Sequence, residues 1–334
     1  MDLIQFQKLF QKEPRYRLAQ AKKAIFQDLI ESWQQTTVLP LSLRKELDEK
    51  CPIKTSKETF ISKDKNTLKV LLTLEDGLKI EAVLMGHKDK RNTVCVSSQV
   101  GCPLGCSFCA TGKMGFERNL KSWEIIEQVL LFARYLKKDK KKVSNIVFMG
   151  MGEPFLNYQN VMEAIKILND KDGFNLGARH FSISTVGITE GGGIEELSKE
   201  KLQINLAVSL HAPNNELRSR LMPINKKYPI QKVLDAVDNY IKKTRRRVMF
   251  EYIMIEGLND TEEEAKALAG LMKRPLYFVN LISYNPTGTF TPSSPERIKK
   301  FKEILKKEAI AVTQRYRFGQ DIEGACGQLA AKKP

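Results

Sequence analysis

The sequence predicts an α/β protein: a parallel sheet whose strands alternate with helices. Three observations carry that class. Beyond about residue 92, short runs dense in Val, Ile, Leu and Phe alternate with longer segments of helical period. At 334 residues the chain exceeds one minimal domain and falls short of three ordinary ones, so one large core with a small appended region is the default. Apolar residues at 42% and charged residues at 28% make a folding composition, which excludes a wholly disordered chain.

Residues 1–55 read as helical. Leu18, Ala21, Ile25, Leu29 and Trp33 recur at three- and four-residue steps, one apolar stripe of an amphipathic helix. Pro40 and Pro52 punctuate the region. Over 56–92 the signal turns extended: Leu68–Leu72 and Leu78–Val83 flank Asp76-Gly77, a hairpin turn. The strands that follow are Val94–Val100, Ile146–Met149, Phe181–Thr185, Ile204–Leu210, Val248–Ile255 and Tyr277–Ile282. The helices between them are Trp123–Leu136, Val161–Leu168, Val233–Ile241, Glu262–Met272 and Pro295–Lys307. Asp260 with Glu263 reads as a capping pair at one helix start. Repeated strand–helix order implies a parallel sheet with right-handed crossovers, as a full or partial barrel or an open sheet. Functional residues then belong where strands end. The division expected is a helical accessory region (1–55), a β-hairpin extension (56–92), a strand–helix core (93–310) and a C-terminal strand and loop (311–334).

Lys plus Arg total 55 against 39 Asp plus Glu, a formal charge of +16. Part of the excess is clustered, in Lys137-Lys138-Asp139-Lys140-Lys141-Lys142 and Lys242-Lys243-Thr244-Arg245-Arg246-Arg247. Such charge is either ordinary solvated surface or a footprint for phosphates, and nucleic acid is the favoured partner. No apolar run approaches the roughly 18 residues of a membrane span, and the amino terminus lacks the layout of a secretory signal. A soluble, cytoplasmic chain is expected, with no membrane partner. Its six cysteines then belong to a compartment where disulfides are rarely structural.

Cys102, Cys106 and Cys109 form a C-x₃-C-x₂-C run just after the first strand of the repeat. Thiolates are soft ligands, and three on one loop converge on a metal centre. A structural zinc would want a fourth ligand, usually from a second pair, and no second C-x₂-C exists. Three ligands on a cubane cluster leave one iron open to a reactant.

This run resembles the cluster motif of radical S-adenosylmethionine enzymes. Six blocks narrow the match: Cys95-Val-Ser-Ser-Gln-Val-Gly-Cys102, Met149-Gly-Met-Gly-Glu-Pro154, Ser182-Ile-Ser-Thr-Val-Gly187, Ser209-Leu-His-Ala-Pro213, Leu221-Met-Pro-Ile-Asn225 and Ala325-Cys-Gly-Gln-Leu329. Together and in this order they closely resemble the RlmN/Cfr adenosine methyltransferases of ribosomal RNA. The resemblance implies a partial (β/α) barrel of radical SAM type, preceded by a small helical region and an antiparallel hairpin. It implies a 4Fe–4S cluster on Cys102, Cys106 and Cys109, and two S-adenosyl-L-methionine molecules per turnover. One would methylate Cys326. The other would supply a 5′-deoxyadenosyl radical that abstracts a hydrogen from that methyl. The resulting carbon radical adds to adenine, and Cys95 releases the product by attacking Cys326 sulfur, leaving a disulfide.

Residue by residue, Glu81 corresponds to the glutamate that removes the ring proton during resolution. Gly152 and Glu153 correspond to the contact with the methionine amino group. Ser184, Ser209, Leu210, His211 and Asn285 correspond to positions lining the S-adenosylmethionine pocket. Cys51 matches no block and reads as structural. The implied reaction is methylation of adenosine carbon 2 in large-subunit ribosomal RNA and in transfer RNA. The implied partners are a flavodoxin or ferredoxin as electron donor, with the chain a monomer. Two alternatives stay open: a Cfr-type enzyme acting on carbon 8, and a noncatalytic RNA-binding protein with a structural metal site.

Overall fold

A computed structural model of the chain describes residues 3–53 and 56–332. Helices α1 (Leu3–Leu9), α2 (Arg15–Phe26) and α3 (Leu41–Lys50) make up the amino-terminal region; residue 55, where the sequence sets its boundary, lies outside the described residues. The apolar stripe predicted to run from Leu18 to Trp33 is not one helix. It stops at Phe26, where the Ile30 amide donates back to the Ala24 carbonyl and Leu29 takes a φ of 53°, a left-handed C-terminal cap. Trp33 belongs to a separate 3-10 turn, fully buried, with its indole N–H donating to the Cys51 carbonyl at 2.8 Å. Burying an indole requires such a partner.

Next come β1 (Ser56–Ile61), β2 (Thr67–Thr73) and β3 (Lys79–Gly86), with Asp76-Gly77 turning β2 into β3 as expected. Then follow β4 (Asn92–Val96), β5 (Gln99–Gly101), α4 (Ala110–Lys113), β6 (Phe116–Asn119), α5 (Ser122–Lys137), β7 (Asn145–Phe148), α6 (Tyr158–Asn169), β8 (Phe181–Thr185), α7 (Ile194–Leu197) and β9 (Asn205–Ser209). The chain ends in α8 (Asn215–Leu221), α9 (Ile230–Thr244), β10 (Val248–Met254), α10 (Glu262–Met272), β11 (Tyr277–Ser283), α11 (Pro295–Lys307) and β12 (Val312–Gln314).

Ten strands form one sheet in the order β1-β2-β3-β4-β7-β8-β9-β10-β11-β12. The first three pairings are antiparallel and every later one is parallel. The hairpin is thus continuous with the strand–helix core through β3 and β4, and the core is a partial (β/α) barrel. Among the described residues no helix is long and apolar enough to cross a membrane.

Two local expectations are corrected. The strand predicted over Val94–Val100 is broken at Ser97-Ser98, because side chains replace the ladder there. The Ser97 amide donates to the Gln128 amide oxygen at 2.7 Å, and Ser97 Oγ donates to the Glu81 carbonyl at 2.6 Å. Past the break, β5 pairs with β6 in a two-stranded sheet of its own. At α10 the capping box is one residue later than predicted, on Thr261 and Glu264; Asp260 instead accepts from the Gly257 amide and pairs with Arg297.

Candidate active site

One cavity of about 510 Å³ runs the length of the parallel strands. Its wall includes Asn145, Ser182 and Asn205 at the amino ends of β7, β8 and β9, and Ser209, His211 and Asn285 at or beyond the carboxyl ends. All five cysteines of interest, Cys95, Cys102, Cys106, Cys109 and Cys326, line it as free thiols.

The loop carrying the cysteine trio is closed at its neck. The Cys102 amide donates to the Gly115 carbonyl at 2.7 Å. A Cβ at Gly101, whose φ is 71°, would stand 2.0 Å from that same carbonyl oxygen, so only glycine fits there. Burial pushes the Cys102 thiol up to about 12 and Cys106 well above its usual value; neighbouring thiols and Glu153 add to both. Such thiols are costly to ionise unless a metal takes the thiolate. Among the described residues no three Cys, His, Asp or Glu groups converge on a single ion. Three thiols of one loop facing one cavity are a soft donor set that fits an iron–sulfur cluster.

Cys95 lies in β4 and Cys326 on the segment after β12. Burial first, and then the adjacent Cys326 sulfur, push the Cys95 thiol up to about 12, against the pull of Arg315. Arg315 had no place among the sequence candidates. Its Nη1 donates to Cys326 Sγ at 3.2 Å, and its Nη2 pairs with Glu251 of β10. Glu251 in turn accepts from Asn280 of β11 at 2.9 Å, and Thr313 of β12 donates to Asn280 at 2.8 Å. The guanidinium is therefore held from behind by two neighbouring strands. The available signal was Glu251 itself, a charged residue within the apolar run Met249–Ile255.

The remaining candidates divide. Ser184, Ser209, His211 and Asn285 line the cavity, whereas Gly152, Glu153, Leu210 and Glu81 do not. Gly152, at a φ of 94°, packs so closely on Gln99 that a Cβ would stand 2.5 Å from it. Glu153 accepts from the Val186 and Phe155 amides at 2.9 and 3.1 Å, and burial raises its carboxyl to about 7 despite those bonds. His211 accepts from the Ile253 amide at its Nδ1, 3.1 Å away, and meets Phe108 of the cysteine loop edge-on at 4.9 Å. Burial, with Arg218 and Arg315 nearby, lowers its pKa to about 3, so the ring stays neutral. Asn285 already uses both ends of its amide: Nδ2 donates to the Cys326 carbonyl at 3.1 Å and Oδ1 accepts from Gln320.

Glu81 is fully buried. It pairs with Lys69 of β2 at 2.9 Å and accepts from the Ala330 amide at 2.8 Å. Between Cys326 and Ala330, Ala110 and Thr111 of α4 donate to the Gly327 and Leu329 carbonyls at 2.7 and 2.6 Å. The stretch just after Cys326 is thus fastened both to the helix that follows the cysteine trio and to β3. Arg218, also absent from the candidates, is fully buried and ties the strand ends together, donating to the Val186, Ser209, Leu210 and Tyr228 carbonyls and to Asn225. It explains why the Leu-Met-Pro-Ile-Asn225 block sits beside the cavity.

A fold of this kind, with three cysteines on the loop after its first parallel strand, defines a class. The model of the Radical SAM superfamily matches residues 96–269, more than half of the chain. A crystal structure of a radical SAM methyltransferase from Sphaerobacter thermophilus superposes with a TM-score of 0.95 at 43% identity, covering 99% of this chain and 98% of that one. The "Probable dual-specificity RNA methyltransferase RlmN" of Dictyoglomus thermophilum is 47% identical over 321 residues, 96% of this chain and 91% of that protein. The "Ribosomal RNA large subunit methyltransferase N" of Nitrosopumilus maritimus is 45% identical over 325 residues, 94% of this chain and 92% of its own length. The chain belongs to the RlmN family of the radical SAM superfamily.

Proposed function

We propose that this chain methylates carbon 2 of an adenosine in large-subunit ribosomal RNA, and also in transfer RNA, through a methylated Cys326 and a transient Cys95–Cys326 disulfide. The observation that carries the reading is the meeting of Cys95, Cys326 and Arg315 in the cavity that also holds the cysteine trio. A cluster and a bound S-adenosylmethionine alone would not need two further thiols there.

Cys102, Cys106 and Cys109 would hold the 4Fe–4S cluster, whose chemistry is reductive cleavage of S-adenosylmethionine, with a flavodoxin or ferredoxin as electron source. Ser184, Ser209 and His211 would orient the S-adenosylmethionine molecules, two per turnover, and neutral His211 adds no charge against the sulfonium. Arg315 keeps the Cys326 sulfur aimed into the cavity, where it would accept a methyl. Once the radical adduct has given up one electron to the electron-transfer partner and lost its ring proton, the Cys95 sulfur attacks the Cys326 sulfur, and the bond from Cys326 to the methylene carbon breaks. That carbon leaves with the electron pair and takes a proton, and two electrons later reduce the disulfide. Glu81 would reach a ring proton only once Ala330 and Ala331 lift from its carboxylate.

Nucleoside mass spectrometry after anaerobic turnover with ribosomal RNA fragments and transfer RNA tests this. 2-Methyladenosine is expected from both; 8-methyladenosine alone would overturn the assignment. Cys95→Ala should leave RNA covalently attached to Cys326, and normal release of methylated RNA would remove Cys95 from the release step.

A further inference from the structure

The cavity extends from the cysteine loop to the amino ends of the strands. Its wall there includes His87 and Arg91, from the turn before the amino end of β4, and Tyr316, Arg317 and Phe318, which follow the carboxyl end of β12 and reach this turn through Phe318. Three of these are aromatic rings in series: His87 meets Phe318 at 4.9 Å, and Phe318 meets Tyr316 at 4.9 Å. Tyr316 is 61% exposed, although a large aromatic usually shelters most of its surface.

Both basic clusters lead to the same end. Lys137–Lys142, exposed throughout, runs into the amino end of β7, and the Lys142 carbonyl accepts from Asn92, the neighbour of Arg91. Arg245–Arg247 run into β10, and Arg246 donates to Asn205 of the cavity wall at 2.7 Å. The acids beside these cations are paired, Asp89 with Arg91 at 2.8 Å and Asp139 with Lys141 at 3.5 Å. The charge thus gathers around one opening.

We propose that this opening is where single-stranded RNA enters, with the base next to the target stacking on Tyr316 and Phe318 while the cations hold the backbone. This rests on the RNA methyltransferase reading and extends it to the route and contacts of the substrate. A base inside a duplex cannot reach a sulfur within the cavity, so the target must be turned out of its stack. Its neighbour then loses a stacking partner, which an exposed ring can replace without reading sequence. Phosphate contacts from Arg91, Arg317 and the clusters supply affinity that depends on salt.

The test uses the full reconstituted chain and fluorescence anisotropy with a 12-nucleotide single-stranded oligoadenylate, over a range of KCl. Tyr316→Ala should weaken binding about tenfold at unchanged salt slope, and Tyr316→Phe should bind as the parent does. Arg317→Gln and Arg91→Gln should each reduce the salt slope by about one. Lys299→Gln with Lys306→Gln, on the exposed face of α11, should change neither quantity. Tyr316→Ala binding like the parent, or the α11 pair losing as much as the arginines, would overturn the assignment. Methylated nucleosides are measured in parallel: binding that follows this pattern without any methylation sinks the enzymatic reading and leaves the entry surface standing.

Discussion

Arg315 and Glu251 show how a single buried charge acquires a task. An unpaired guanidinium beside two thiols would be costly, and an unpaired glutamate inside a strand equally so. Paired, they leave one edge of the guanidinium free to donate to Cys326. Arg315→Gln should slow transfer of a labelled methyl to Cys326 about tenfold, because the sulfur loses the donor that aims it and hydrogen bonds to charged groups are worth about 1.5–3 kcal/mol. Peptide mass spectrometry of the labelled protein measures it, and equal rates would show that the contact does nothing to the sulfur. His211 makes a second test at this scale. Its pKa is lowered to about 3 in the fold, so the unfolded chain binds a proton that the fold refuses. Stability from neutral His211 is therefore present above the ordinary histidine value of about 6.5 and is lost as pH falls from there towards 3. Its ring NMR signals should not move between pH 8 and pH 5; a midpoint near 6.5 would place it in water. The cysteines were legible because ligand spacing is a local property of the chain. Arg315 was not: its partners lie 64 residues before it and 11 after it, and only the folded barrel brings them together.

At the level of elements, the periodic strands and helices from 93 to 310 were readable because apolar repetition and burial coincide there. Two misreadings fell where side chains take over the work of the backbone, as Gln128 does at Ser97 and Thr261 does at α10, and a third where a left-handed Leu29 ends α2 inside an apolar stripe. The Cys326 segment was the least legible, since β12 is three residues long and the rest is held by partners distant in sequence. Glu81 is the clearest such partner, joined to Lys69 with both side chains 1% exposed. Glu81→Ala should destabilise the fold by about 3–5 kcal/mol, because it leaves Lys69 buried and uncompensated. The double change Lys69→Met with Glu81→Leu should cost much less. Chemical denaturation reads both. Hydrogen exchange reads the second consequence: the Ala330 and Ala331 amides lose their acceptor and should exchange faster in either variant. Unchanged protection of those amides would mean that the segment is held by α4 alone.

For the whole molecule, the decisive fact is that one cavity joins two kinds of chemistry at opposite ends of the same strands. The thiols of the cysteine trio face it from the carboxyl-end loop, while the gathered cations stand at the amino ends beside the rings that meet His87, and Cys95 and Cys326 also line it. The +16 charge is therefore unevenly placed, and composition could nominate an anionic partner without saying where it would sit. Such an arrangement separates cofactor loading from substrate capture. Cys106→Ala should lose the brown absorbance of anaerobically reconstituted protein, yet its affinity for the single-stranded oligoadenylate should change less than about threefold, because salt-dependent phosphate contacts carry that affinity. Absorbance and anisotropy on the same sample test the separation. A parallel fall in RNA affinity would show instead that the cluster loop shapes the opening at the other end, through the segment that Ala110 and Thr111 fasten to it.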